Sequence, residues 1–191
     1  MAGDLGGAER ALAVPCDVSE WADVKRLVAE TLDAFGRIDA VFANAGVGGG
    51  RGFLTGSIEE WRAMVGTNVL GLALTVRATL PQLLEQDAGH YVIMSSAAGR
   101  RVVPGSLYSA TKWAASALGE ALRGELRDLR KNSTIRVTVV EPGAVQTPFF
   151  DRPLPWPPLE ADDIARIVLF ALEQPPNVDV SDILVRPTAQ P

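Results

Sequence analysis

The feature that most limits what this chain can become is a regular alternation of short apolar runs with longer stretches of helical periodicity. Ala11 to Val14 is a short apolar run ended by Pro15, and Asp17 to Ser19 supplies turn chemistry with Ser19 as a candidate N-cap. Val24, Leu27, Val28, Thr31, Leu32 and Phe35 then recur at helical spacing, and Gly36 stands where a C-cap glycine belongs, which predicts a helix over 20–35. Ala40 to Ala43 is continuously apolar, the pattern of a strand covered on both faces, and Asn44-Ala45-Gly46 ends it. Ser57 followed by Glu60 has the form of a capping box and opens a long helix through Met64, Val65, Leu72, Val76 and Leu80, with Pro81 a candidate kink. A strand over 91–94, a helix over 109–129 and a β-branched strand over 135–140 follow, the last stopped by Pro142-Gly143. A proline-rich loop over 148–158 leads to a helix over 160–173 and a final strand over 183–186.

Strand and helix alternating in this way imply parallel strands joined by right-handed helical crossovers, with ligands at the carboxyl ends of the strands. The expected fold class is therefore α/β, with the 191 residues forming one domain. Hydrophobic residues at 47% and charged residues at 21% are enough to bury a core and argue against long disorder.

Composition also removes several functions. A net charge of −5 and a pI of about 4.9 leave no basic field to hold a nucleic acid. The single cysteine, Cys16, and the single histidine, His90, stand too far apart in sequence to build a zinc site, so no metal is expected and both are read as structural. No apolar run reaches the roughly 20 residues of a membrane helix and the N-terminal residues do not read as a signal peptide, which makes the cytoplasm the expected location and a membrane an unexpected partner.

The strongest chemical signal is Tyr108-Ser-Ala-Thr-Lys112, because a spacing of four on a helix puts phenol and ammonium on one face. Alone it is a weak pattern, but it has companions. Cys16-Asp17-Val18, Asn44-Ala45-Gly46, Asn68-Val69-Leu70-Gly71, Ser95-Ser96-Ala97-Ala98-Gly99, Tyr108 to Lys112, and Pro142-Gly143-Ala144-Val145-Gln146-Thr147 span nearly the whole chain. In that order and at roughly that spacing, the sequence resembles the short-chain dehydrogenase/reductase family. The resemblance implies a Rossmann-like doubly wound sheet, NAD or NADP as cofactor, and a small alcohol or carbonyl substrate.

Hydride transfer to a carbonyl carbon leaves an alkoxide that needs a proton from a positioned acid. Tyr108 is the expected acid, and an adjacent ammonium, Lys112, is expected to favour its phenolate. The resemblance further implies that Lys112 bonds the nicotinamide ribose, that Ser96 donates to the substrate oxygen, and that Asn68 holds a water linking Lys112 to solvent. Ser96 is chosen over Ser95 because the second serine of the family's strand motif is the catalytic one. By the same resemblance Asp17 and Val18 contact adenine, Asn44, Ala45 and Gly46 lie beside the adenine ribose, and Pro142, Gly143, Val145 and Thr147 belong to the segment lining the nicotinamide. Turn chemistry alone also accounts for Asn44 and Gly46. Phe149, Phe150, Leu154 and Trp156 occupy the family's substrate-covering position, or simply pack a short connection onto the core.

Gly46-Val-Gly48-Gly49-Gly50-Arg51-Gly52 imitates a phosphate loop but has Arg51 at the third glycine position and no tight passage into a helix, so a loop near the substrate is expected instead. Relative to the family, the first two strands and the glycine-rich phosphate turn are missing, and in the sheet order 3-2-1-4-5-6 this leaves the run at 11–14 without its neighbour. The expectation is a fragment of a longer oxidoreductase; the alternative is a truncated, cofactor-deficient homologue serving as an oligomerisation or binding scaffold. An extended sugar-nucleotide epimerase would need a larger region after Thr147. The ending Ile183 to Gln190 resembles family members that oxidise small hydroxy acids or hydroxy amino acids. The helices over 57–80 and 109–129 are the expected faces of a homodimer or homotetramer.

Overall fold

The computed structural model describes residues 3–7, 9–131, 133–149 and 156–191. Helix α1, Trp21–Phe35, opens after a turn organised by Asp17, whose carboxylate accepts from the Ser19 backbone at 2.9 Å and the Ser19 hydroxyl at 2.7 Å. Glu20, rather than Ser19, is the N-cap, and it contributes no side-chain bond. Gly36 closes the helix in the left-handed region, φ 75°, returning its N–H to the Leu32 carbonyl.

Strand β1, Ala40–Ala43, leads to helix α2, Ile58–Val65, whose N-cap Ser57 accepts from the Glu60 backbone as the sequence predicts. The expected single long helix is interrupted by a π turn over Gly66–Gly71 before α3, Leu72–Gln86. Helix α3 runs on through Pro81, so the departure from α geometry falls at the π turn, where Asn68 and Gly71 are buried. Strand β2, Ala88–Met94, helix α4, Leu107–Leu129, strand β3, Thr134–Pro142, helix α5, Ala161–Leu172, and strand β4, Asp182–Val185, complete the order.

The four strands form one sheet in the order β1-β2-β3-β4, every pair parallel. The fold is Rossmann-like. The strand expected over 11–14 is not formed: those residues are irregular, because strand geometry requires a hydrogen-bonded neighbour and β1 pairs only with β2.

Side chains alternate between two cores. On one face Tyr91, Ile93, Val137 and Val139 pack with Leu83, Ala115, Leu122 and Leu126 from α3 and α4. On the other, Val92 and Val140 pack with Ile164 and Val168 of α5. Gly119 lets α4 approach β3 closely, since a Cβ there would run into the Val139 side chain.

The helical stretch Ile58–Gln86, 29 residues, contains an 18-residue window of mean hydropathy 1.3, long and apolar enough to cross a membrane by length and composition, although charged residues interrupt the stretch as a whole. Its apolar character has a local cause here. Met64, Leu72, Thr79 and Leu83 point into the fold, and Thr79 meets the buried Tyr91 hydroxyl at 2.9 Å.

Candidate active site

Sequence places Ser95 and Ser96 directly after β2, and the structure uses both. Ser95 turns into the protein, its hydroxyl 2.9 Å from the Lys112 carbonyl and 2.8 Å from the Ser116 hydroxyl. Ser96 is half-buried, extends the strand direction, and caps the 3-10 turn Ala97–Gly99 by accepting from Ala98 N at 3.1 Å. The turn sits directly on α4: a Cβ at Gly99 would stand 2.7 Å from both the Lys112 carbonyl and the Ser95 hydroxyl.

Helix α4 begins at Leu107 with Ser106 as N-cap, accepting from Ser109 N, so Tyr108 lies in the first helical turn and Lys112 one turn on. Lys112 is 4% exposed and donates from Nζ to the Met94 carbonyl at 2.8 Å, with Nζ 5.7 Å from the Tyr108 ring centroid. Burial pulls the Lys112 ammonium down to about 8. Tyr108 does not follow the expected direction. Burial raises its phenol above the usual value, and the hydrogen bond with Ser96 only partly opposes that.

Asn68 reaches the same place from the π turn. Its amide clamps the Val47 backbone, accepting from Val47 N at 2.8 Å and donating to Val47 O at 2.9 Å, and donates to Thr111 Oγ1 at 3.0 Å. A Cβ at Gly46 would lie 3.4 Å from both Asn68 Oδ1 and Lys112 Nζ, so the glycine keeps open the small space these two groups share. Ser96, Tyr108, Lys112 and Asn68 are thus brought together at the carboxyl ends of β1 and β2.

The expected cofactor residues divide. Val18, Asn44, Ala45, Asn68 and Lys112 line one groove along β1, and the Val18 side chain rests on Gly71. Asp17 is tied up within its own turn and its carboxyl is held below the usual range by the Ser19 hydroxyl and N–H. Pro142 ends β3 buried, and Gly143 carries the Gln190 side chain where a Cβ would be, with Gln190 Oε1 accepting from Ala144 N at 2.9 Å. Val145 bridges to Leu159, and Thr147 Oγ1 accepts from Phe149 N at 3.4 Å. Phe149 packs on Tyr108, ring centroids 5.5 Å apart, while Phe150 and Leu154 lie outside the described residues. The imitation phosphate loop makes no helix entry; Gly52 N donates to Gly105 O at 2.8 Å and Gly50 N to the Glu60 carboxylate at 2.9 Å, which fastens it between α2 and the residues leading into α4.

His90, expected to be structural, is buried with its Nε2 2.8 Å from Thr138 Oγ1, and burial pushes its pKa down to about 4. Among the described residues no group of His, Cys, Asp and Glu can hold a metal. Sequence reasoning missed Glu141, a fully buried carboxylate at the end of β3; the available signal is an acidic residue inside an otherwise apolar strand.

A phenol, a buried ammonium and a serine hydroxyl converging at the strand ends define a site for moving a proton at a substrate oxygen. Asn44, Asn68 and Lys112 give the groove the polar groups that the ribose of a dinucleotide would bond. Among the described residues, no glycine turn leads into a helix N-terminus that could hold its pyrophosphate.

The profile of the short chain dehydrogenase family matches residues 2–156. An uncharacterised oxidoreductase of Staphylococcus saprophyticus is 35% identical over 175 residues, covering 90% of this chain and 73% of that protein. The alcohol dehydrogenase of the archaeon Thermococcus sibiricus, complexed with 5-hydroxy-NADP, superposes with a TM-score of 0.82 at 31% identity, covering 92% of this chain and 74% of that one. A closed form of serine dehydrogenase complexed with NADP+ gives a TM-score of 0.82 at 26% identity, over 92% and 75% of the two chains. The fold and site are those of an NAD(P)-dependent oxidoreductase. The chain belongs to the short-chain dehydrogenase/reductase family.

Proposed function

We propose that this chain transfers hydride between NAD(P) and a small alcohol or carbonyl substrate, with Tyr108 as the acid–base group. The observation that carries this reading is the convergence of Ser96, Tyr108 and Lys112 at the end of β2, with Asn68 behind them. A nicotinamide, when bound, would supply or accept the hydride. In the reductive direction the Tyr108 hydroxyl gives its proton to the developing alkoxide oxygen, and Ser96 donates a hydrogen bond to that same oxygen. Lys112, held by the Met94 carbonyl, keeps a positive charge near the phenolate that results and bonds the cofactor ribose. Lys112 then passes a proton to the Tyr108 phenolate, and a water positioned by Asn68 replaces that proton on Lys112 from solvent. In oxidation the same groups act in reverse.

Val18, Asn44 and Ala45 line the part of the groove that would take the adenosine, with Asp17 and Gly46 next to them in the chain, and Pro142, Gly143, Val145 and Thr147 would form the nicotinamide wall. The family's serine dehydrogenase and the ending Ile183 to Gln190 favour a small hydroxy acid or hydroxy amino acid. The whole of 1–191 is one partial Rossmann domain, and exposed Ile58, Val65 and Leu70 on the α2–α3 stretch with Trp113 on α4 favour a homodimer or homotetramer through those helices.

The test is turnover of a panel of small alcohols and ketones, read by the absorbance of reduced nicotinamide, for wild type and Tyr108→Phe. The variant is expected to lose about 10²–10⁴-fold in kcat while retaining cofactor affinity. Loss of affinity with unchanged kcat contradicts the role. The exposed apolar side chains of the α2–α3 stretch and α4 favour a second reading, a cofactor-deficient homologue serving as an oligomerisation or binding scaffold. Its signature is an oligomer with neither NAD(P) binding nor turnover.

A further inference from the structure

Glu141 has no part in the chemistry above, yet it is a fully buried carboxylate linked through two serine hydroxyls to the backbone of Lys112. Burying a carboxylate is costly unless its oxygens are satisfied, so its partners indicate what it is for. Oε2 accepts from Arg100 Nε at 2.6 Å, and Oε1 accepts from the Ser116 hydroxyl at 2.9 Å. Arg100 also pairs with Asp182 at the start of β4, 3.1 Å away, so one guanidinium ties the turn after Ser96 to two neighbouring strands.

The chain of contacts continues inward. The Ser116 proton is committed to Glu141, so its oxygen accepts from Ser95, and the single Ser95 proton is shared between Ser116 Oγ at 2.8 Å and the Lys112 carbonyl at 2.9 Å. Lys112 is thereby gripped at both ends by consecutive residues of one strand end: Met94 takes the ammonium and Ser95 takes the backbone carbonyl. The next residue is Ser96. Sliding the strand end relative to α4 would break both grips and move Ser96 away from Tyr108 at the same time.

We infer that Glu141, acting through Ser116 and Ser95, is a positioning residue that locks the strand end carrying Ser96 in register with the helix carrying Tyr108 and Lys112. It touches neither substrate nor cofactor. The inference rests on the proposed oxidoreductase function for its kinetic consequence but not for its geometry, and the experiment separates the two.

In the full chain, Ser116→Ala is the mild variant, since it leaves Glu141 paired with Arg100, and Glu141→Gln the severe one. A residue acting through geometry should lower kcat about tenfold to a hundredfold with KM little changed. The Lys112 ammonium, followed by 15N NMR in the absence of any ligand, should titrate above its wild-type midpoint as water gains access to it. Ser116→Thr, which keeps the hydroxyl, should restore both readouts. Loss of thermal stability alone, with kcat and the Lys112 titration unmoved, would overturn the inference and leave Glu141 a structural ion pair. Absence of turnover in the wild type would instead count against the proposed function, and the Lys112 titration would then decide the register claim by itself. If Glu141→Gln does not fold, the comparison of Ser116→Ala with Ser116→Thr decides between the two outcomes.

Discussion

β3 and β1 belong to one sheet and are built to different standards. β3 is hydrogen-bonded on both sides, and Val137, Thr138, Val139, Val140 and Glu141 are all completely buried. β1 is bonded on one side only, and Phe42 at its centre is 48% exposed. Ser96, Tyr108 and Lys112 are held by contacts among residues 94–142, from the end of β2 to the end of β3, and Asn68 joins them from the β1 side. The groove proposed for the dinucleotide lies along the open edge. The proposed acid–base groups thus rest on the well-built strands, while the groove that Lys112 and Asn68 would share with the cofactor opens at the weaker edge. Activity should therefore be limited by occupancy by NAD(P) rather than by the geometry of Tyr108 and Lys112.

The largest expected effect follows directly. Fusing a βαβ unit with a glycine turn against the β1 edge should tighten NAD(P) binding on the order of 10³-fold, since two or three charge-assisted bonds to the pyrophosphate contribute about 4 kcal/mol or more. Calorimetric titration of the two chains measures it. Equal affinities would mean that some part of the present chain already cradles the phosphates, and the contrast between the two ends of the sheet would lose its functional meaning.

At the well-built end, Ile93→Ala should destabilise the fold by about 2–5 kcal/mol, the range for emptying a buried aliphatic site. Lys112→Met should act in the opposite direction. The folded protein holds Lys112 at about 8 against an ordinary 10.5, so between those values the unfolded chain binds more protons and stability rises with pH. Below pH 8 the full cost of burying the ammonium is present. The variant is expected to be more stable at pH 7 by up to roughly 3 kcal/mol, reduced by the loss of the bond to the Met94 carbonyl, and inactive in hydride transfer. Urea unfolding at pH 7 and pH 10.5 checks the sign: the advantage of the variant should shrink as pH rises.

The same contrast governs what is legible in the sequence. Strands covered on both faces announce themselves as apolar or β-branched runs, and Ser57, Gly36 and the Tyr108–Lys112 spacing mark helix ends and faces, because each of those signals is local. The run at 11–14 carries the same local signal and does not form a strand, because pairing is non-local. The π turn at Gly66–Gly71 is invisible in sequence for a related reason: Asn68 faces inward because Val47 and Thr111, distant in sequence, hydrogen-bond its amide. The roles of Ser95 and Glu141 are equally hidden, since they exist only once α4 lies against the end of β3. Tyr108 shows the limit of reading electrostatics from spacing. A neighbouring Lys112 predicts a lowered phenol, whereas burial dominates and raises it.

The smallest expected effect is the sharpest probe of the open edge. Phe42→Lys replaces a large apolar side chain in the middle of a strand, which on β3 would be severely destabilising. On β1 it should change unfolding free energy by no more than about 0.5 kcal/mol, because a half-exposed side chain on an unpaired edge gives up little buried contact. A lysine there also opposes edge-to-edge pairing, so any concentration-dependent association through β1 should weaken, measurable by analytical ultracentrifugation beside the urea curve. Association through the α2–α3 and α4 faces would be untouched by the same change, which distinguishes the two surfaces. A loss of about 2 kcal/mol or more would mean that Phe42 is covered in solution, by the irregular residues before α1 or by a second copy of the chain, and that the edge described as open is in fact an interface.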